Sequence, residues 1–205
     1  MQELDWKWQP NSIMFGMRRF VHDPVFGKQI HQFASPFRQF ELTLPPKAEK
    51  DRREIAAFLN DTEGTAVVNV YDPRVPVPGY YNEYRNDKMI SQRVPDLIVA
   101  GTNSADRTIT VRGSDRITKD DPIAFTHSGV RHYYRALDDL VLNGSNQSLR
   151  VDLRPRVDIP DTSIITDRIR PTCRFQVFIN DHGGLTNADG YTDFSLRGVE
   201  FFGAI

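Results

Sequence analysis

The alternation of hydrophobic and polar positions predicts a strand that begins near residue 40. Phe40, Leu42 and Leu44 alternate with Glu and Thr, the period-two pattern of a half-buried strand. Pro45 and Pro46 follow, and we expect them to end the strand, because neither can donate a ladder hydrogen bond.

A polar helix is predicted next, over residues 47–60. Ile55, Phe58 and Leu59 recur there at the spacing of one helix face. Residues 67–71 then return to a strand pattern, before Asp-Pro closes it. This order of elements predicts a sheet covered by one helix, and it contains no catalytic pattern.

From Val94 the pattern changes to short strands separated by turn residues. We expect strands near 97–100, 108–112, 122–125, 130–137, 140–142 and 149–153. Short strands at this spacing are typical of a small barrel of the OB-like kind.

The last part of the chain predicts longer strands again. Residues 156–171 contain two prolines among charged residues, which indicates a connector. Residues 174–179 and 191–202 are expected to form a hairpin around a Gly-rich loop. The predicted fold is therefore mainly β. It combines a β-sandwich of residues 1–93 and 158–205, with one packed α-helix at 47–60, and a small OB-like barrel inserted at 94–157.

Aromatic residues mark two candidate contact segments. Trp6 and Trp8 make the N-terminus too hydrophobic for a solvated tail, so we expect a docking arm or edge strand. Arg74 lies in a proline loop, residues 73–79, and three tyrosines follow it: Tyr80, Tyr81 and Tyr84. Such tyrosines either anchor an interface or cover a loop wall, and the sequence leaves both open.

Composition narrows the classes of function. The chain has 205 residues and a net charge of −1, so it lacks the basic field of a dedicated nucleic-acid binder. Most of its 26 Lys and Arg residues are Arg, the cation favoured at protein–protein interfaces, although an arginine-rich genome would give the same bias. No apolar run reaches 18 residues and the N-terminus lacks a signal-peptide pattern, so we expect neither membrane insertion nor export.

Candidate chemistry is sparse. The only cysteine, Cys173, lies in an apolar strand and is expected to be a small core residue. The five histidines, at 22, 31, 127, 132 and 182, have no metal-ligand spacing, and the loop 181–190 fails the calcium-loop pattern. Asp120-Asp121 and Asp138-Asp139 are neighbours, which in a strand point to opposite faces. We therefore predict no enzyme activity, no cofactor and no metal.

The predicted elements follow one another in a particular order. Ser35-Pro36 comes first, followed by the strand ending Leu44-Pro45-Pro46, the charged helix, and the strand ending Tyr71-Asp72-Pro73. A Pro-Gly loop, a small barrel, an Arg-Pro connector and a final hairpin come next. This order resembles that of the distal tail proteins of bacteriophages with long flexible tails. The chain departs from the family pattern between Pro36 and Leu44, where glycine and tryptophan are often found, and it has Asp120-Asp121 in place of the usual Gly-Asp.

The resemblance implies a structural virion protein made in the host bacterial cytoplasm. Six copies would close into a ring at the tail tip, joining the tail tube protein to hub, baseplate and fibre proteins. A closed ring needs two different complementary surfaces on each copy. We expect Trp6, Trp8, Arg74, Tyr80, Tyr81 and Tyr84 to contribute to them.

Two other classes remain open. The barrel could be a carbohydrate- or receptor-binding module of a host-attachment apparatus. An accessory domain of an enzyme is less favoured, because the chain encodes no catalytic partner.

Overall fold

The computed structural model describes residues 2–3, 12–18, 21–22, 31–32, 37–47, 57, 65–84, 94–178 and 192–203. The described residues are mainly β, as predicted. The chain divides into two compact units, Met1–Val70 with Arg174–Phe201, and Tyr71–Cys173 with Phe202–Ile205. No helix among the described residues is long and apolar enough to cross a membrane.

The strands in chain order are β1 (Gln2–Glu3), β2 (Ser12–Arg18), β3 (Val21–His22), β4 (His31–Gln32), β5 (Phe37–Lys47), β6 (Thr65–Tyr71), β7 (Ile98–Asn103), β8 (Thr108–Arg112), β9 (Arg116–Ile117), β10 (Pro122–His127), β11 (Val130–Arg135), β12 (Leu140–Val141), β13 (Gln147–Arg150), β14 (Ile164–Ile165), β15 (Thr172–Phe178) and β16 (Thr192–Glu200). A 3-10 helix, Gly79–Tyr84, lies between β6 and β7.

The first unit is built on a six-stranded sheet with the order β1-β6-β15-β16-β5-β2. β1 runs parallel to β6, whereas β16 is antiparallel to both β15 and β5, and β2 is antiparallel to β5. β3 and β4 form a separate two-stranded ladder. The predicted final hairpin is confirmed by the pairing of β15 with β16.

Aromatic packing over a glycine organises the centre of this sheet. Phe40 and Phe175 are fully buried, with ring centroids 4.8 Å apart in an edge-to-face arrangement. Gly198 lies directly across from Phe40, and a Cβ atom there would come within 2.3 Å of the Phe40 ring. The close approach of the ring therefore requires glycine at position 198.

A buried ion pair joins β5 to the end of β16. The Arg38 backbone N–H donates to Glu200 Oε2 at 2.9 Å, and its guanidinium lies 3.3 Å from Oε1. Both side chains are almost fully buried, so each charge depends on the other.

The expectation that Pro45 and Pro46 end the strand is wrong, because β5 continues to Lys47. Pairing with β2 stops at Thr43, and the register with β16 shifts between Leu44 and Lys47. The two prolines therefore lie in an irregular segment where ladder hydrogen bonds are interrupted, and there the missing N–H groups cost little.

The helix predicted at 47–60 lies almost entirely outside the described residues. Lys47 belongs to β5, so a helical start at that residue is corrected. Ala57 is the one described residue between 48 and 64, and it is helical and exposed.

The described part of the second unit contains three antiparallel sheets around a large hydrophobic core, with a small cluster of Val77, Tyr81 and Val94 beside it. Their strand orders are β13-β8-β7-β14, β10-β11 and β12-β9. The predicted strand at 108–112 is confirmed with the same bounds. The core is formed by Leu97, Val99, Ile109, Val111, Ile117, Ile123, Phe125, Tyr134, Ala136, Leu142, Leu149, Val151, Leu153 and Ile159.

The β10–β11 hairpin closes through a two-residue turn. Ser128 and Gly129 both have positive φ angles, 49° and 77°. This is the backbone of a type I′ turn, whose twist matches that of the paired strands.

The segment predicted as a connector takes part in the second unit. β14 pairs with β7, Ile159 bridges Thr102, and Asp167 bridges Ala124. The second unit thus begins before, and ends after, the 94–157 segment that the sequence predicts as the insertion. Cys173 is buried, as expected of a core residue.

Candidate interaction surface

The 3-10 helix Gly79–Tyr84 is fixed at its start by a buried carboxylate. Asp121 accepts the backbone N–H of Gly79 at 2.6 Å and that of Thr118 at 2.7 Å. Burial raises the pKa of Asp121 despite these hydrogen bonds. A turn at Asp72–Val75 and the proline-rich stretch after it bring the chain to this point.

Tyr81 fixes the inner side of the same helix. Its side chain is 9% exposed, and its hydroxyl donates to Asp115 Oδ1 at 2.7 Å. Burial, with the added effect of the Asp115 carboxylate, raises the pKa of Tyr81 to about 12. Tyr81 is therefore an anchor inside the unit.

Arg168 completes this anchor from a distant part of the chain. Its guanidinium pairs with Asp115 Oδ2 and also donates to the carbonyls of Pro95 at 3.0 Å and Arg116 at 3.2 Å. Both oxygens of Asp115 are thus occupied, one by Tyr81 and the other by Arg168.

Tyr80 points the other way. Its side chain is 55% exposed, its ring stands edge-on to Tyr81 at 5.1 Å, and the Arg116 guanidinium lies 5.7 Å from its centroid. Val141 is 63% exposed and pairs across from Arg116 in the β9–β12 ladder, so both project from the same face.

These side chains border an open groove of about 500 Å³, called the Tyr80 groove below. Its lining residues are Tyr80, Ser114, Asp115, Arg116, Val141 and Leu142. Tyrosine and arginine are residue types enriched in protein-binding hot spots, and the exposed Val141 adds apolar surface beside them.

Arg74, another predicted contact residue, belongs to a separate ion-pair cluster. Its Nε donates to Oδ1 of the buried Asp72 carboxylate at 2.9 Å, and its Nη2 donates to Oδ2 at 2.6 Å. The Arg135 Nη2 also lies 2.8 Å from Asp72 Oδ2. Burial of Asp72 would raise its pKa, but hydrogen bonds from Arg74 and the two arginine charges outweigh that effect and lower it. Arg74 therefore stabilises the end of β6.

The structure thus separates the predicted contact residues. Tyr80 is exposed and fits the interface alternative, while Tyr81 fits the loop-wall alternative. Tyr84 ends the 3-10 helix, and its side chain is outside the described part of the chain, as are Trp6 and Trp8.

Sequence reasoning missed Arg116 and Val141. The pattern Leu140-Val141-Leu142 contained the signal for Val141, since alternation puts the middle residue on the opposite face from two core leucines. No sequence pattern indicated a role for Arg168, because its ion pair with Asp115 forms only when the unit folds.

His132 is the buried histidine of the second unit. Its ring stacks on Phe125 at 4.9 Å, and its Nδ1 lies 3.3 Å from the Tyr134 hydroxyl. Burial, helped by the charges of His127 and Arg131, lowers its pKa to about 4. His132 is therefore a neutral core residue at pH 7.

Among the described residues, no group of three His, Cys, Asp or Glu side chains could hold a metal ion. The loop 181–190, considered above for calcium, lies outside those residues.

No protein-family model matches the chain, and no curated protein is significantly similar to it.

Proposed function

We propose that this chain is a structural virion protein of a long-tailed bacteriophage. Six copies form a ring at the distal tail tip, which joins the tail tube protein to the hub or baseplate and fibre proteins. The protein has no catalytic role, needs no cofactor and binds no specific nucleic acid.

The main observation that supports this proposal is the path of the chain through the two units. β6 and β15 are neighbours in one sheet, although β6 ends at Tyr71 and β15 begins at Thr172. The intervening hundred residues make the separate second unit. A sheet made from both chain ends, interrupted by an inserted β unit, is the organisation that the resemblance to distal tail proteins implies.

The proposal extends to the finer fold of each unit. The first unit belongs to a β-sandwich related to tail-tube proteins, and its six-stranded sheet supports this assignment. The second unit is an OB-like barrel, which its several antiparallel sheets around one shared core support.

The Tyr80 groove supports a role in assembly. Large exposed aromatic and aliphatic side chains on one face lower the free energy of association when a partner covers them.

The test is the mass and symmetry of the purified full-length chain, measured by native light scattering and negative-stain imaging. The proposal predicts a six-subunit mass and annular particles with six-fold symmetry. A chain that stays monomeric at high concentration would contradict ring formation.

A second candidate function is recognition of a carbohydrate or receptor, which the open groove beside an exposed tyrosine favours. A glycan array probed with the full chain separates the two functions. Selective binding that is lost in Tyr80→Ala would favour the second function, whereas uniform background favours the ring.

A further inference from the structure

We propose that the Tyr80 groove receives residues 157–161 of a second copy of this chain, in a head-to-tail contact. The inference rests on the proposed ring and names the two surfaces that such a ring needs.

The chemistry of the groove selects a partner that carries a carboxylate. Both oxygens of Asp115 are already bonded, so the groove offers no free carboxylate. Among the described residues no acidic side chain pairs with the Arg116 guanidinium, which lies over the Tyr80 ring. The groove therefore presents a positive charge and hydroxyl groups, and exposed Val141 adds an apolar contact.

Residues 157–161, Val-Asp-Ile-Pro-Asp, have the complementary chemistry. Val157 is 57% exposed, and Asp158 and Asp161 are exposed on the same short segment. Asp161 accepts no hydrogen bond from any residue that the structure describes. The segment therefore offers carboxylates beside an aliphatic side chain.

Hydrogen bonds hold the first part of the acidic segment against β7, which lowers the entropy that is lost when it docks. The Thr102 N–H donates to the Ile159 carbonyl at 2.9 Å, and its Oγ1 donates to the Val157 carbonyl at 2.6 Å and accepts the Ile159 N–H at 2.8 Å. Asp158 also accepts the backbone N–H of Ser104 at 2.6 Å.

The two surfaces occupy different positions along the β7–β8 hairpin. Val157 and Ile159 contact Thr102, near the end where Asn103 faces Thr108. Asp161 lies nearer the middle of β7, because the next residue, Thr162, donates its N–H to the Ala100 carbonyl. Ser114 and Arg116 follow Arg112, at the other end of the hairpin, where Arg112 faces Ile98. Two different surfaces on one copy suit a head-to-tail contact that repeats around a ring.

Two arginines near the acidic segment make contacts within their own unit. Arg107 donates to the backbone carbonyls of Val151 and Asp152, and the Arg156 guanidinium lies 3.5 Å from the centroid of the Phe202 ring. Among the described residues, neither of them forms an ion pair with Asp161, and exposed Asp96, which precedes β7, forms none with Arg116. The Asp161 carboxylate and the Arg116 guanidinium are therefore both available to a neighbouring copy.

A charge-swap experiment on the full chain tests this contact. Sedimentation equilibrium is measured for wild type, Arg116→Glu, Asp161→Arg and the double variant, and circular dichroism verifies folding of each. Each single reversal should raise the dissociation constant of the assembly about tenfold or more. The double variant should recover most of the loss, because the pair is restored between copies.

The outcomes distinguish the inference from the function on which it rests. If wild type forms the ring and Arg116→Glu forms it equally well, this contact is wrong and the ring proposal stands. The contact is equally overturned if the double variant is as weak as the two single losses combined. If wild type itself remains monomeric, the proposed function fails.

Discussion

The inner and outer sides of the 3-10 helix Gly79–Tyr84 differ in how their tyrosines are used. Tyr81 is buried and bonded to Asp115, which Arg168 also holds, while Tyr80 stands exposed beside Arg116. The anchored inner side fixes the position of the exposed ring. Neighbouring residues of the same type can thus serve folding and association separately.

The largest effect on the free energy of unfolding is expected from Arg168→Met, which removes the ion pair with Asp115 on the inner side of the 3-10 helix. It leaves the Asp115 carboxylate buried without its cation, and we expect a loss of about 3–5 kcal/mol in the free energy of unfolding, measured by urea denaturation. Arg150→Met is the matched control, because its pair with Asp138 is on the surface, and it should leave the denaturation midpoint almost unchanged. Equal midpoints for the two variants would contradict the anchoring role of Arg168.

Tyr81→Phe should have a smaller effect of about 1.5–3 kcal/mol, since it removes one hydrogen bond to a charged acceptor and keeps the ring. The matched control is Tyr80→Phe, whose exposed hydroxyl makes no hydrogen bond to a described residue, so its stability should stay within about 0.5 kcal/mol of wild type. Equal losses of unfolding free energy in Tyr81→Phe and Tyr80→Phe would show that the two tyrosines do not differ in their contribution to folding.

The raised pKa of Tyr81 gives the inner side a pH dependence. The folded pKa of about 12 lies above the ordinary value of 10.0, so the folded chain holds this proton more tightly than the unfolded chain. The contribution of the protonated Tyr81 hydroxyl to the free energy of unfolding is complete below pH 10 and is lost as the pH rises from 10 to 12. The stability difference between wild type and Tyr81→Phe should therefore shrink over that interval, and a constant difference would count against it.

The smallest effect on folding, and a large one on association, is expected from Tyr80→Ala. Its free energy of unfolding should stay within about 0.5 kcal/mol of wild type, because the side chain is exposed. Association should weaken about tenfold or more in sedimentation equilibrium. Unchanged association would contradict a role for Tyr80 in the contact between copies.

Local patterns predicted the strands well where alternation and turn residues agreed. β8 has its predicted bounds because Ile109 and Val111 alternate with polar residues, and β12 lies within its predicted segment. The prediction that Pro45 and Pro46 end the strand was wrong, because a sequence does not show where the pairing with a neighbouring strand becomes irregular.

The candidate surface was only partly predictable, because its parts meet through long-range contacts. The sequence singled out Tyr80 and Tyr81 but could not decide which is buried, since the deciding partner Asp115 lies 34 residues away. Arg168 reaches Asp115 across 53 residues from a segment predicted to be a connector. Charges that pair over such distances leave no periodic signal.

Hydrogen exchange of the full chain, compared between dilute and assembled protein, tests the head-to-tail surface most directly. We expect assembly to slow exchange in the segments 79–84, 114–117, 140–142 and 157–161, and Arg116→Glu to reduce this protection at the same protein concentration. Assembly that leaves exchange in all four segments unchanged would contradict this expectation.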